Sequence, residues 1–153
     1  MTIYFEELTP GRVFELGTVE MTEDEILEFA ARFDPQPFHL DREAAAASHF
    51  GGLIASGWHT CSCCMRLMVD GMMRHTVSLG SPGVDEIRWS APVRPGDRLT
   101  GRMIVEEATP SSSNPTRGSV RFRSEMENQD GVIVLTMRAV AMFGRRPTAD
   151  PSQ

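Results

Sequence analysis

Along this chain the apolar residues first recur every three to four positions and later every two. In "TEDEILEFAARF", Ile26, Phe29, Ala30 and Phe33 fall on one helical face. Thr22 stands as N-cap with Glu25 three residues on, the arrangement of a capping box. Proline disfavours the α region for the residue before it, so this helix is predicted to stop near Asp34, just ahead of Pro35. A first strand, Val13–Val19, precedes it after the Pro10-Gly11 turn. A second helix is predicted from Asp41, a good N-cap, through "REAAAASHF" to Gly51-Gly52. A third starts at Ser56 in "SGWHTCSCCMRLMVDGMMRH". Its polar stripe is narrow, formed by Arg66, Asp70 and Arg74 at spacings of four. A helix apolar nearly all round is expected to be buried.

After Gly80 the period becomes two. Ile87, Trp89, Ala91 and Val93 alternate, and a turn follows at Arg94–Asp97. Leu99, Gly101, Met103 and Val105 alternate next, then a loop at "TPSSSNPTRG". Val120, Phe122, Ser124 and Met126 alternate against charged neighbours, and "NQDG" marks a hairpin turn. The last run, "VIVLTMRAVAMF", is apolar on both faces, as in a central strand. Helices first, then long antiparallel strands, with one apolar helix to cover, give an α+β layout: a sheet curled around a central helix. One domain is expected over residues 1–146, with a flexible tail at 147–153.

Charge and cysteine usage narrow the function classes. The 153 residues carry a formal charge of −6, which argues against nucleic acid as the main partner. No window is apolar enough to span a bilayer. The first fourteen residues lack a basic start and a long apolar run, so no signal peptide is expected. Cys61, Cys63 and Cys64 lie within four residues, which is not a disulfide framework. These features predict a cytoplasmic protein with reduced thiols.

Candidate chemistry concentrates in "FDPQPFHLD", residues 33–41. Asp34 sits at the carbonyl end of one helix, where partial negative charge and burial should raise its pKa. His39 lies ahead of the next helix start, whose positive end favours a neutral imidazole. Pro35 and Pro37 each fix one φ angle. A stiff loop holding two proton carriers suits general acid–base catalysis. The alternative is a plain turn, with Asp34 capping an amide and His39 packed on Phe38. Gly57, eighteen residues after His39, changes the balance. As the first residue of the third helix it presents an N–H without an intrahelical acceptor, a ready oxyanion donor. His59 and Cys63, four apart, hint at a metal, but the segment lacks further ligands and no metal site is expected. Arg117, Arg145 and Arg146 are candidates for phosphate contact by charge alone, but exposed arginines on solvated strand ends are far more common and no such role is assigned to them.

The stretch "FDPQPFHLDREAAAASHFGGLIASGWHT" resembles the hydratase motif of the MaoC-like dehydratases, the (R)-specific enoyl-CoA hydratases. Asp34, Pro37, His39 and Gly57 keep its spacing, and "RWSAPVRPGDRL" is similar to a later family segment. Gln36 replaces the motif's asparagine, and Ser56 replaces the histidine usual before the glycine. The resemblance implies a hotdog fold, a homodimer, and reversible addition of water to a trans-2-enoyl-CoA. Asp34, His39 and Gly57 would be catalytic, with Gln36, Ser56 and Trp58 against the substrate. An acyl-CoA would be the substrate, and no separate cofactor is expected. A thioesterase on the same fold, or a non-catalytic acyl-CoA binding protein, remains open at this stage.

Overall fold

The computed structural model describes residues 1–149; the far end of the tail expected at 147–153 lies outside the described residues. The elements follow in the order β1 (Val13–Glu20), α1 (Glu23–Phe33), α2 (Pro37–Leu40), α3 (Arg42–Ala47), α4 (Gly57–Gly71), β2 (Gly83–Trp89), β3 (Arg98–Pro110), β4 (Arg117–Glu127) and β5 (Ile133–Gly144). Five strands form one antiparallel sheet in the order β1-β3-β4-β5-β2. Among the described residues no helix is long and apolar enough to cross a membrane.

Local signals act as the sequence predicts in α1. The Thr22 side chain accepts from the Glu25 N–H at 3.3 Å, and the Asp34 N–H closes the helix on the Ala30 carbonyl at 2.9 Å. The second helix differs from expectation. It is α3, starts at Arg42 under an Asp41 cap and ends at Ala47. Ahead of it stands a separate helical turn, α2, opened by Pro37. Proline suits that first position because it has no N–H to leave unpaired.

The α4 helix lies on the inner face of the sheet. Cys64, Leu67 and Met68 are buried with Leu16, Leu99, Met103, Val105, Phe122, Met126 and Leu135 in one core. Burial of this apolar surface is the main favourable term for the fold. The helix is not buried all round, as its composition suggests, because Trp58, Met65 and Val69 remain exposed. The sheet covers one side of it, and α1 meets it through Phe29, whose ring stacks on His59.

The turn at Arg94–Asp97 also departs from a simple hairpin. The Asp97 N–H reaches the Arg94 carbonyl at 3.0 Å, so the turn is formed. The strands it connects, however, are not neighbours: β2 pairs with β5, and β3 runs between β1 and β4. Residues 90–97 therefore cross from one side of the sheet to the other, passing the start of α4. By contrast β5 is an interior strand, as its apolar run predicts.

Gly71 sets how closely α4 approaches β1. A Cβ there would stand 2.9 Å from the Leu16 Cα and 3.0 Å from its carbonyl oxygen. Backbone cannot step aside like a side-chain tip. Gly71→Ala should therefore lower stability by about 1–3 kcal/mol through overpacking, although alanine is intrinsically the better helix former by about 1 kcal/mol. Urea denaturation checks this, and an unchanged or raised midpoint would contradict the close approach.

Candidate active site

The loop between α1 and α3 folds back on itself. The Gln36 N–H donates to the Asp34 carbonyl at 2.8 Å, and the His39 N–H to the Gln36 carbonyl at 3.0 Å. This brings the Asp34 and His39 side chains together, with His39 Nε2 3.1 Å from Asp34 Oδ2. His39 is 4% exposed. Its other nitrogen, Nδ1, lies 2.8 Å from the Ile54 carbonyl oxygen. A carbonyl only accepts, so Nδ1 carries a proton. The Nε2···Oδ2 contact sets the second ring nitrogen against the carboxylate, so that a proton can pass between imidazole and carboxylate. His39 belongs to the α2 turn, two residues before the Asp41 cap, and the Ile54 carbonyl and Asp34 are what orient its ring.

Both departures from the motif act on Asp34. The longer Gln36 side chain, on an exposed residue, reaches back and its Nε2–H donates to Asp34 Oδ1 at 2.6 Å. The Ser56 hydroxyl donates to Asp34 Oδ2 at 2.8 Å, and its oxygen also accepts from the Trp58 N–H at 3.3 Å as the N-cap of α4. Burial pushes the Asp34 carboxyl up. The hydrogen bonds from Gln36 and Ser56, with the nearby His39, outweigh that and hold it below the ordinary aspartate value. This reverses the expectation drawn from the helix end, because donors bonded directly to a carboxylate outweigh more distant carbonyl dipoles.

Segment 53–56 is buried and extended between two supports. The Ile54 N–H donates to the Phe38 carbonyl at 3.2 Å and the Ala55 N–H to the Val93 carbonyl at 2.9 Å. α4 then begins at Gly57, whose N–H makes no hydrogen bond among the described residues. Asp34, Gln36, His39, Gly57 and Trp58 line one cleft of about 450 Å³. Ser56, fully buried, stands behind it on Asp34.

The cleft has further members that periodicity does not reveal. Trp89 and residues 90–93 also line it. Arg94 donates to the carbonyls of Phe50 and Gly52, tying down the segment beside it. These residues approach through the crossing segment, and the similarity of "RWSAPVRPGD" to a family segment is the one sequence signal for them. Arg145 and Arg146 pair with Glu6 and Glu7 instead of facing the cleft.

Two other features lead away from chemistry. A groove of about 540 Å³ is lined by charged side chains of β2, β3, β4 and β5. Its Arg88 and Arg138 pair with Glu86, and Arg121 with Asp85, so its charges satisfy one another. In α4, burial pushes Cys63 up to about 11 and Cys64 up to about 12. Such thiols are poor nucleophiles and poor metal ligands near neutral pH. No group of three His, Cys, Asp or Glu side chains able to hold a metal ion occurs among the described residues.

Comparison with known proteins follows the same outline. Residues 6–126 match the family model described as MaoC like domain. A solved MaoC-like dehydratase from Rhodospirillum rubrum is 41% identical, with a TM-score of 0.86 over 95% of this chain and 99% of that one. R-hydratase PhaJ1 from Pseudomonas aeruginosa is 25% identical, with a TM-score of 0.73 over 99% of this chain and 96% of that one. Protein YdeM of Bacillus subtilis (strain 168) is 32% identical over 94 residues, 61% of this chain and 67% of that one.

Ser56→Ala removes an N-cap and one donor to Asp34. It should cost about 1 kcal/mol of stability and move the Asp34 carboxyl upward, towards its ordinary value. Carboxyl-carbon NMR titration reads the second effect directly; an unmoved Asp34 titration would show that the Ser56 bond is not made.

His59 supplies a separate pH test. It is buried, its Nδ1 has no partner among the described residues, and its ring stacks on Phe29 at 4.8 Å. Burial holds it below the ordinary histidine value, partly opposed by Glu25. The unfolded chain takes up this proton near pH ~6.5 and the folded chain does so only at lower pH. Stability must therefore fall as pH drops below that point. His59→Phe, which keeps the stack, should lack this component, and denaturation curves at several pH values should diverge below about pH 6.5. A constant difference between the two proteins would contradict the assignment.

Proposed function

The chain belongs to the MaoC-like dehydratase family, which has the hotdog fold, and from that premise we propose that it adds water reversibly to a trans-2-enoyl-CoA, giving an (R)-3-hydroxyacyl-CoA. The observation that carries this is the 3.1 Å contact between His39 Nε2 and Asp34 Oδ2 in the cleft that also contains the Gly57 N–H, which makes no hydrogen bond among the described residues. The (R) outcome follows the resemblance to the R-hydratase from Pseudomonas aeruginosa.

The steps balance as follows. The thioester oxygen accepts from the Gly57 N–H, at the positive end of α4. A water held by the Asp34–His39 pair gives up one proton to the pair as its oxygen bonds to C3. The double-bond electrons move towards C2 and the thioester oxygen, where the Gly57 N–H stabilises the developing charge. The pair then delivers one proton to C2, leaving it in its starting state. Both proton carriers lie on one side of the cleft, which suits addition to one face of the alkene. Prealigned donors of this kind typically contribute about 2.7–4 kcal/mol each to the transition state.

A homodimer belongs to the same proposal. The exposed Met65 and Val69 on α4 and the unpaired edge of β2 supply the unpartnered surface it would cover.

Loss of the enoyl-thioester absorbance is the direct assay. Wild type should consume the chromophore without releasing free thiol. Asp34→Asn and His39→Ala should each lose about 10²–10⁴-fold in kcat. Release of free thiol would favour a thioesterase, and tight acyl-CoA binding with neither signal would favour a binding protein.

A further inference from the structure

We propose that Trp89 sets the length of acyl chain the cleft accepts, acting as a wall built against Gly57; this rests on the acyl-thioester reading of the same cleft. A Cβ on Gly57 would stand 2.4 Å from Trp89 Cε2, 2.5 Å from Nε1 and 2.8 Å from Cδ2. The indole therefore fills the space beside the proposed oxyanion donor, and glycine is the residue that lets it do so. Three contacts hold it. Its Nε1–H donates to the Gly57 carbonyl at 3.0 Å. Its ring meets Trp58 edge-on, with centroids 5.3 Å apart and planes at 78°. Its own backbone is paired to Leu135 at the end of β2.

Burial alone does not account for this placement, because Trp89 is 45% exposed. A large aromatic ring left half in solvent is aimed at the cleft, not at the core. The lining near it, with Phe50, Ala91, Pro92 and Val93, is apolar. Such a lining suits an acyl chain and not the charged part of CoA. The indole is anchored to main chain, so a long chain cannot displace it without breaking the Gly57 contact. Chains should gain affinity until they meet the ring and then gain no more.

Isothermal titration of butyryl-, octanoyl- and dodecanoyl-CoA tests this without turnover. A methylene that finds room contributes about 0.8 kcal/mol, about fourfold in affinity. Wild type should show little gain beyond the shortest chains. Trp89→Ala should bind octanoyl-CoA at least about tenfold more tightly than wild type, while butyryl-CoA stays within about threefold. Trp89→Phe, which keeps a ring, should follow wild type. Trp89→Leu repeats the test should the alanine variant not fold, as circular dichroism would show. Coincident length profiles for wild type and the alanine or leucine variant would overturn the wall. So would a uniform loss at every length, or no binding of any acyl-CoA. Hydration by wild type is measured beside it. Binding with the expected profile but no hydration would sink the proposed reaction and leave the wall standing.

Discussion

Everything at the site depends on one chain of hydrogen bonds that runs from the Ile54 carbonyl through His39 to Asp34 and on to Ser56. It ties the end of α1, the α2 turn and the start of α4 to one another. The Ile54 carbonyl fixes a proton on Nδ1 and leaves Nε2 turned to the Asp34 carboxylate. The pairing of Asp34 with His39 is thus a consequence of where segment 53–56 runs. That segment is itself held by Phe38 on one side and Val93 on the other. The fold and the chemistry meet in those few main-chain bonds.

The same chain of contacts explains why the two unusual residues do not dismantle the site. Gln36 and Ser56 both donate to Asp34, one to each oxygen. They hold the carboxyl below its ordinary value. A donor lost from either side would shift that position. Preorganised polar groups of this sort stay useful only while water is kept from competing with them. Ser56 is fully buried and His39 nearly so, whereas Asp34 keeps partial access to the cleft.

Features with local causes were legible in the residues. The Thr22 cap, the stop at Asp34, the Asn128–Gly131 turn and the α+β layout all follow from neighbours a few positions apart. The spacing of Asp34, His39 and Gly57 pointed to one site, and the structure brings these residues into one cleft. Long-range features were not legible. The separation of β2 from β3 depends on which strands pair across the sheet. The lowered Asp34 pKa depends on Ser56, 22 residues away, and the Trp89 wall on a contact spanning 32 residues. The exposed side of α4 carries apolar residues too, Trp58, Met65 and Val69, so composition alone could not tell it from the buried side.

The measurement that bears most directly on the central claim is hydration of a trans-2-enoyl-CoA in heavy water, followed by NMR. Protons from water must pass through the Asp34–His39 pair to C2. The account predicts one deuterium at C2, on the same face as the new C3 hydroxyl, and none of this product with Asp34→Asn. An intact double bond with free CoA thiol in solution would contradict it, because the water would then have attacked the carbonyl instead of C3.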